Sequence, residues 1–121
     1  MACYVGVDLG ATNVRAVVGD REATVLGRAS RPTPQGPTGI AVTEAVLDVV
    51  REACAAAGVD PASVAAGGVG AIGPLDLADG AVEGPANLPD AVGRVPLVGP
   101  LSTLLDAEVY LHNDTSAGVV G

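Results

Sequence analysis

From Val5 to Val18 the chain reads VGVDLGATNVRAVV, an apolar strand, a short polar turn and a second apolar strand, with one carboxylate, Asp8, where the first strand ends. That pattern commits the N-terminus to a sheet before anything else is known, because two apolar runs so close together can only pair with each other. The turn itself has two readings. Asp, Gly and Asn favour tight turns in any protein. The same residues also suit an anion: Gly10 lets backbone approach closely, Thr12 offers a hydroxyl and an amide, and Asp8 can hold a hydrated Mg²⁺ without touching a phosphate.

Downstream, Cys3 to Leu9, Val14 to Gly19 and Ala23 to Ser30 are expected as a three-stranded antiparallel meander, the third strand following an Asp20-Arg21-Glu22 turn. A Pro-rich connection over Arg31 to Pro37 leads to Val42, Ala45, Val46, Val49, Val50, Ala53 and Ala57, which recur at helical spacing. Thr38 is the candidate N-cap, and Gly58 and Pro61 mark the stop. Val64 to Ile72 reads as a buried strand, Gly80 to Gly84 as a short ribbon and Asn87-Leu88-Pro89 as a stiff turn. A short helix over Pro96 to Leu105, a strand over Glu108 to His112 and a helix beginning at Asn113 complete the order β-β-β-α-β-α-β-α. A meander followed by parallel crossover strands is a mixed-sheet α/β layout.

Composition narrows the function. The core must come from small aliphatic side chains, since the 121 residues include 2 Tyr and neither Phe nor Trp. A net charge of −8 argues against nucleic acid and anionic membranes as partners. All 6 basic residues are Arg, so a phosphate loop of the Walker type, which needs Lys, is excluded. Cys3 and Cys54 form no C-x-x-C pair and read as buried, reduced thiols. No apolar run of about 18 residues and no room for a signal peptide lead to the expectation of a soluble, cytoplasmic protein. Gly68, Gly70 and Gly73 spell G-x-G-x-x-G, but Pro74 stands where a dinucleotide-binding helix should open, and that reading is set aside.

Three further signals sit where strands end, the place α/β sheets use for ligands. The run from Gly68 to Asp76 could form a backbone wall against a polar ligand, or mark a helix packed closely on the sheet. Asn87, between prolines, offers the donor and acceptor that a sugar hydroxyl needs, or stabilises its own turn. Asp114 is either a helix N-cap or a general base. His112, the one His in the chain, reads as structural or peripheral.

Taken in order, Asp8-x-Gly10-x-Thr12-x-x-Arg15, Gly68-x-Gly70-x-x-Gly73-Pro74-Leu75-Asp76, Asn87-Leu88-Pro89 and Asn113-Asp114 resemble the ROK family of sugar kinases and sugar-responsive regulators. The resemblance implies a ribonuclease-H-like, actin-like ATPase fold and phosphorylation of a hexose by ATP with Mg²⁺. It implies that Asp8, Gly10 and Thr12 form the first phosphate loop, with Asp8 serving the metal. Gly73 and Asn87 would line the sugar site, Asn113 would bind sugar hydroxyls, and Asp114 would be the catalytic base. The last motif departs from the family's usual Glu-Asn-Asp-Ala-Asn, reading His112-Asn113-Asp114-Thr115-Ser116, and the Trp often found after Asn-Leu-Pro is missing. The family's Glu-x-Gly-His segment, cysteine-rich zinc motif and second phosphate and adenosine loops have no counterpart here. Residues 1–121 are therefore expected to form the N-terminal lobe of such a protein, without the C-terminal lobe. Partners on this reading are a sugar and a nucleotide, with pairing into a homodimer, common in the family, left open. Two alternatives accompany it: a sugar-sensing regulator, and an isolated lobe with no activity of its own.

Overall fold

Alternation decides the first strand. The computed structural model describes residues 2–36, 38–71, 74–83 and 93–113. Along β1 (Cys3–Leu9), Cys3, Val5, Val7 and Leu9 are buried and Tyr4, Gly6 and Asp8 exposed, so one face of the strand builds a core and the other is left for something else. β2 (Asn13–Asp20) pairs antiparallel with it and buries Val14, Ala16 and Val18 on the same side. β3 (Val25–Pro32) completes the meander two residues later than the sequence suggested at either end. The cause is the turn before it: the Asp20 Oδ1 atom accepts from the amides of Glu22 and Thr24, and Ala23 takes a φ of 63°, so the chain regains extended geometry only after Thr24.

Helix α1 (Gly39–Ala57) follows, and its apolar stripe of Val42, Ala45, Val46, Val49, Val50, Ala53 and Cys54 is buried against the sheet. Gly58, at φ 71°, closes the helix as expected, its amide bonding the Ala55 carbonyl. Thr38 stands at the N-cap in extended conformation, without a side-chain capping bond. Arg31 pairs with Asp48 and Glu52, fastening the end of β3 to the exposed flank of α1.

A single 3-10 turn, Pro61–Ser63, capped by Asp60, shortens the next strand to β4 (Ala66–Ala71). β4 runs parallel to β1, and β8 (Glu108–Asn113) runs parallel to β4, giving one sheet in the order β3-β2-β1-β4-β8. Between them a second, three-stranded antiparallel sheet is made by β5 (Leu75–Asp76), β6 (Ala81–Glu83) and β7 (Arg94–Pro96). The sequence reading anticipated a ribbon near β6 but took Pro96 into the following helix. That helix, α2 (Val98–Leu105), starts two residues later and accommodates Pro100 because its third position lies in the first turn, where no intrahelical N–H bond is lost.

The core lies between the large sheet and α1, with Leu97, Leu101 and Leu105 from α2 and its approach filling the end under β4 and β8. The buried Thr43 of α1 donates to the Pro96 carbonyl at 2.7 Å, which ties the small sheet to the same helix. Among the described residues no helix is long and apolar enough to cross a membrane.

Candidate functional site

The opposite face of the large sheet is open. Strand register lays its outward residues in rows: Arg28, Val17, Gly6, Gly68 and Tyr110 in one, and Ser30, Arg15, Asp8, Gly70 and His112 in the next. Gly6 and Gly68, side by side, make a floor flanked by the exposed Val17 and Tyr110. The resulting cavity, about 410 Å³, is lined by Gly6, Val7, Asp8, Arg15, Val17, Gly68 and His112. Asp8 is exposed at its rim and faces Arg15 across the β1–β2 pair.

Two readings of the glycine-rich strand thus hold at different residues. A side-chain carbon at Gly67 would come 2.9 Å from Leu105 Cδ1, so there the glycine admits close packing of α2. At Gly68, on the open face, the nearest atom would be the Tyr110 carbonyl oxygen at 3.9 Å, and the space stays available to a ligand.

The three parallel strands β1, β4 and β8 end together, with Leu9, Ala71 and Asn113 in register. Their C-terminal edge therefore brings Asp8 and the backbone of Asn113 to one end of the sheet, although they are distant in sequence. Gly10 and Thr12 lie in the loop that leaves this edge. The Gly10 amide bonds the Asn13 carbonyl at 3.0 Å, so its N–H is spent inside the turn, and a side-chain carbon at Gly10 would come 3.1 Å from that same oxygen. Gly73, Asn87 and Asp114 lie outside the described residues. The segment carrying Asn87 connects β6 to β7, and those strands are locked by Arg94, which reaches Asp76, Asp79 and Glu83. A bond from the Asp79 amide and the Arg94 charge together hold the Asp76 carboxyl below its ordinary range.

His112 and Arg15 were not assigned to the site from sequence, yet both line its cavity. For His112 a signal existed: Glu108, Tyr110 and His112 alternate along β8. What sequence could not supply was the parallel register that puts His112 opposite Gly70 and thus in the same row as Asp8, with one strand between them. Among the described residues no group of three or more His, Cys, Asp or Glu side chains converges as a metal centre. A carboxylate at a strand end offers hard oxygen donors, which suit Mg²⁺ better than Zn²⁺.

A family model described as ROK family matches residues 4–121. A glucokinase from Pyrobaculum calidifontis is 39% identical over 121 residues, which is 100% of this chain and 35% of that protein. Among solved structures, the ROK hexokinase from Thermus thermophilus matches with a TM-score of 0.78 and 33% identity, over 95% of this chain and 36% of the other. A ROK family glucokinase from Streptomyces griseus, solved in complex with glucose and AMPPNP, matches with a TM-score of 0.76 and 29% identity, over 98% and 35%. The chain spans about a third of the length of these relatives.

Proposed function

This chain belongs to the ROK family and has its ribonuclease-H-like, actin-like ATPase fold, and from that premise we propose that the whole protein phosphorylates a hexose hydroxyl with ATP. The observation that carries the reading is the meeting of Asp8, the Gly10–Thr12 loop and Asn113 at the C-terminal edge of three parallel strands. Phosphoryl transfer passes through a loose transition state, so the protein's part is positioning and charge neutralisation. Asp8, exposed and near a strand end, has the hard oxygen donors that a hydrated Mg²⁺ takes as partners. Mg²⁺ when bound would screen the charge of the phosphates. Thr12, exposed in the loop, offers its hydroxyl and amide to the phosphate oxygens. Asn113, Asn87 and Gly73 are assigned to the sugar, and Asp114 to the proton of the attacked hydroxyl, which it accepts as transfer proceeds. The family relatives named glucokinase and hexokinase support a hexose as substrate, and a cytoplasmic location follows from dependence on the cellular nucleotide pool.

On this reading residues 1–121 supply one wall of the cleft and are inactive alone. The test is a coupled assay of ADP release by the whole protein across a panel of hexoses, parent against Asp114→Asn. A loss of about 10²–10⁴ in kcat with sugar affinity retained is expected of a general base. Turnover by the variant near that of the parent would refute the assignment, and sugar binding by the parent without turnover would make the protein a sensor instead.

A further inference from the structure

The loop between β1 and β2 is shaped from outside. In a closed β-turn the first carbonyl accepts from the amide of the fourth residue. Here the first carbonyl, that of Gly10, accepts instead from the hydroxyl of Thr33 at 2.7 Å. The Ala11 carbonyl accepts from Gln35 Nε2 at 3.2 Å, and the Thr12 carbonyl from the Thr33 amide at 2.9 Å. Gln35 also bonds the Thr33 carbonyl at 3.1 Å, which braces the two residues against each other. Three consecutive carbonyls of the loop are thus drawn to the segment that follows β3.

A trans peptide is planar, with its N–H pointing opposite to its C=O. Pinning the carbonyls of Gly10, Ala11 and Thr12 on one side therefore turns the amides of Ala11, Thr12 and Asn13 to the other. In a sheet ordered β3-β2-β1-β4-β8, away from β3 is toward β4 and β8, the side on which Asn113 ends its strand. Among the described residues the amides of Ala11 and Thr12 have no hydrogen-bond partner. Successive amides aimed at one point form an anion-binding concavity, and carbonyls aimed there would repel the same anion.

We propose that Thr33 and Gln35 are positioning residues that hold the loop's carbonyls back and its amides forward for the phosphates of a nucleotide. Neither residue stands out in sequence, where both belong to the Pro-rich connection. Thr33 is buried, with 4% of its surface exposed, so its hydroxyl has the Gly10 carbonyl rather than water as its partner. The ligand named here rests on the kinase reading, whereas the clamp itself does not.

The test compares parent, Thr33→Val and Thr33→Ser in the whole protein. Loss of the hydroxyl should raise KM for MgATP about fivefold to tenfold, the scale of one hydrogen bond. KM for the sugar should stay within about twofold of the parent, and Thr33→Ser should restore the parent KM for MgATP. Hydrogen exchange at the amides of Gly10 and residue 33, which bond the Asn13 and Thr12 carbonyls, gives a readout independent of turnover, and it should quicken in Thr33→Val and return in Thr33→Ser. A Thr33→Val protein with parental exchange at these amides overturns the clamp. Equal rises in both KM values also overturn it, since they would indicate a general loss of structure. If the parent phosphorylates no sugar, the kinase reading fails, and the exchange experiment still decides the clamp.

Discussion

Adding one carbon at Gly27 should displace the long helix from the sheet. A side-chain carbon there would lie 2.5 Å from the Ala53 carbonyl oxygen, 2.6 Å from the Ala57 amide nitrogen and 2.9 Å from the Ala57 Cβ. Two of these atoms are helix backbone and cannot rotate away. Ordinary contact between heavy atoms begins near 3.5 Å, so α1 must recede by about 1 Å, a gap that forfeits a quarter to a half of each dispersion contact it opens. Overpacked sites typically cost about 1–3 kcal/mol, and a clash against backbone along a helix belongs at the upper end, about 3 kcal/mol. At about 4 °C per kcal/mol for a chain of this size, Gly27→Ala should lower Tm by about 12 °C. Two controls share the chemistry but not the surroundings. At Gly67 the obstacle is the mobile end of Leu105, and Gly67→Ala should cost about 1 kcal/mol. At Gly68 nothing lies closer than 3.9 Å, and Gly68→Ala should be neutral or stabilise by about 0.5 kcal/mol through the unfolded chain. Far-UV circular dichroism melts of the four proteins check the order. A Gly27→Ala melt within about 2 °C of the parent, or a Gly68→Ala loss as large as that of Gly27→Ala, would refute the reasoning.

Two further outcomes concern pH. Because the folded Asp76 carboxyl is held below its ordinary value of 3.8, its contribution is complete above that value and is lost as pH falls through the lower folded value. Amide exchange in β5, β6 and β7 should therefore quicken below about pH 3.8, ahead of the large sheet, and in Arg94→Gln it should already be quick at neutral pH. The buried Cys54 thiol shows the opposite sign: burial first, then Cys3 and Asp60, push it above its ordinary value of 9.0. Its contribution is present below that value and lost as pH rises through the folded one, so the urea midpoint of the parent should fall more steeply above about pH 9 than that of Cys54→Val.

The meander and the long helix were legible because each rests on a local pattern, apolar runs separated by turn residues and helical spacing from Val42 to Ala57, whereas the open face of β1 emerged only with the structure. The second sheet was only half legible. Arg94–Pro96 is too short to alternate, and its pairing with Ala81–Glu83 is set by the carboxylates Arg94 gathers, which sequence does not group. At the site, Asp8, Gly10 and Thr12 announced themselves through turn chemistry. Arg15 and His112 did not, because their membership comes from strand register, and Thr33 and Gln35 did not, because their partners are backbone carbonyls that any residue would present.

The order in which the strands join has a consequence for how the chain is made. β1, near the N-terminus, becomes the central strand of the sheet, and β2 and β3 can zip onto one side of it through short turns. Helix α1 completes a self-contained layer by Ala57, before β4 has been synthesised. β4 and then β8 add on the other side, each to the edge left by the one before, so the slow parallel pairings are laid on a template that local contacts have already formed. The sheet grows outward from β1, first on one side and then on the other, in step with the ribosome, and the side of β1 that faces β4 gains its neighbours last.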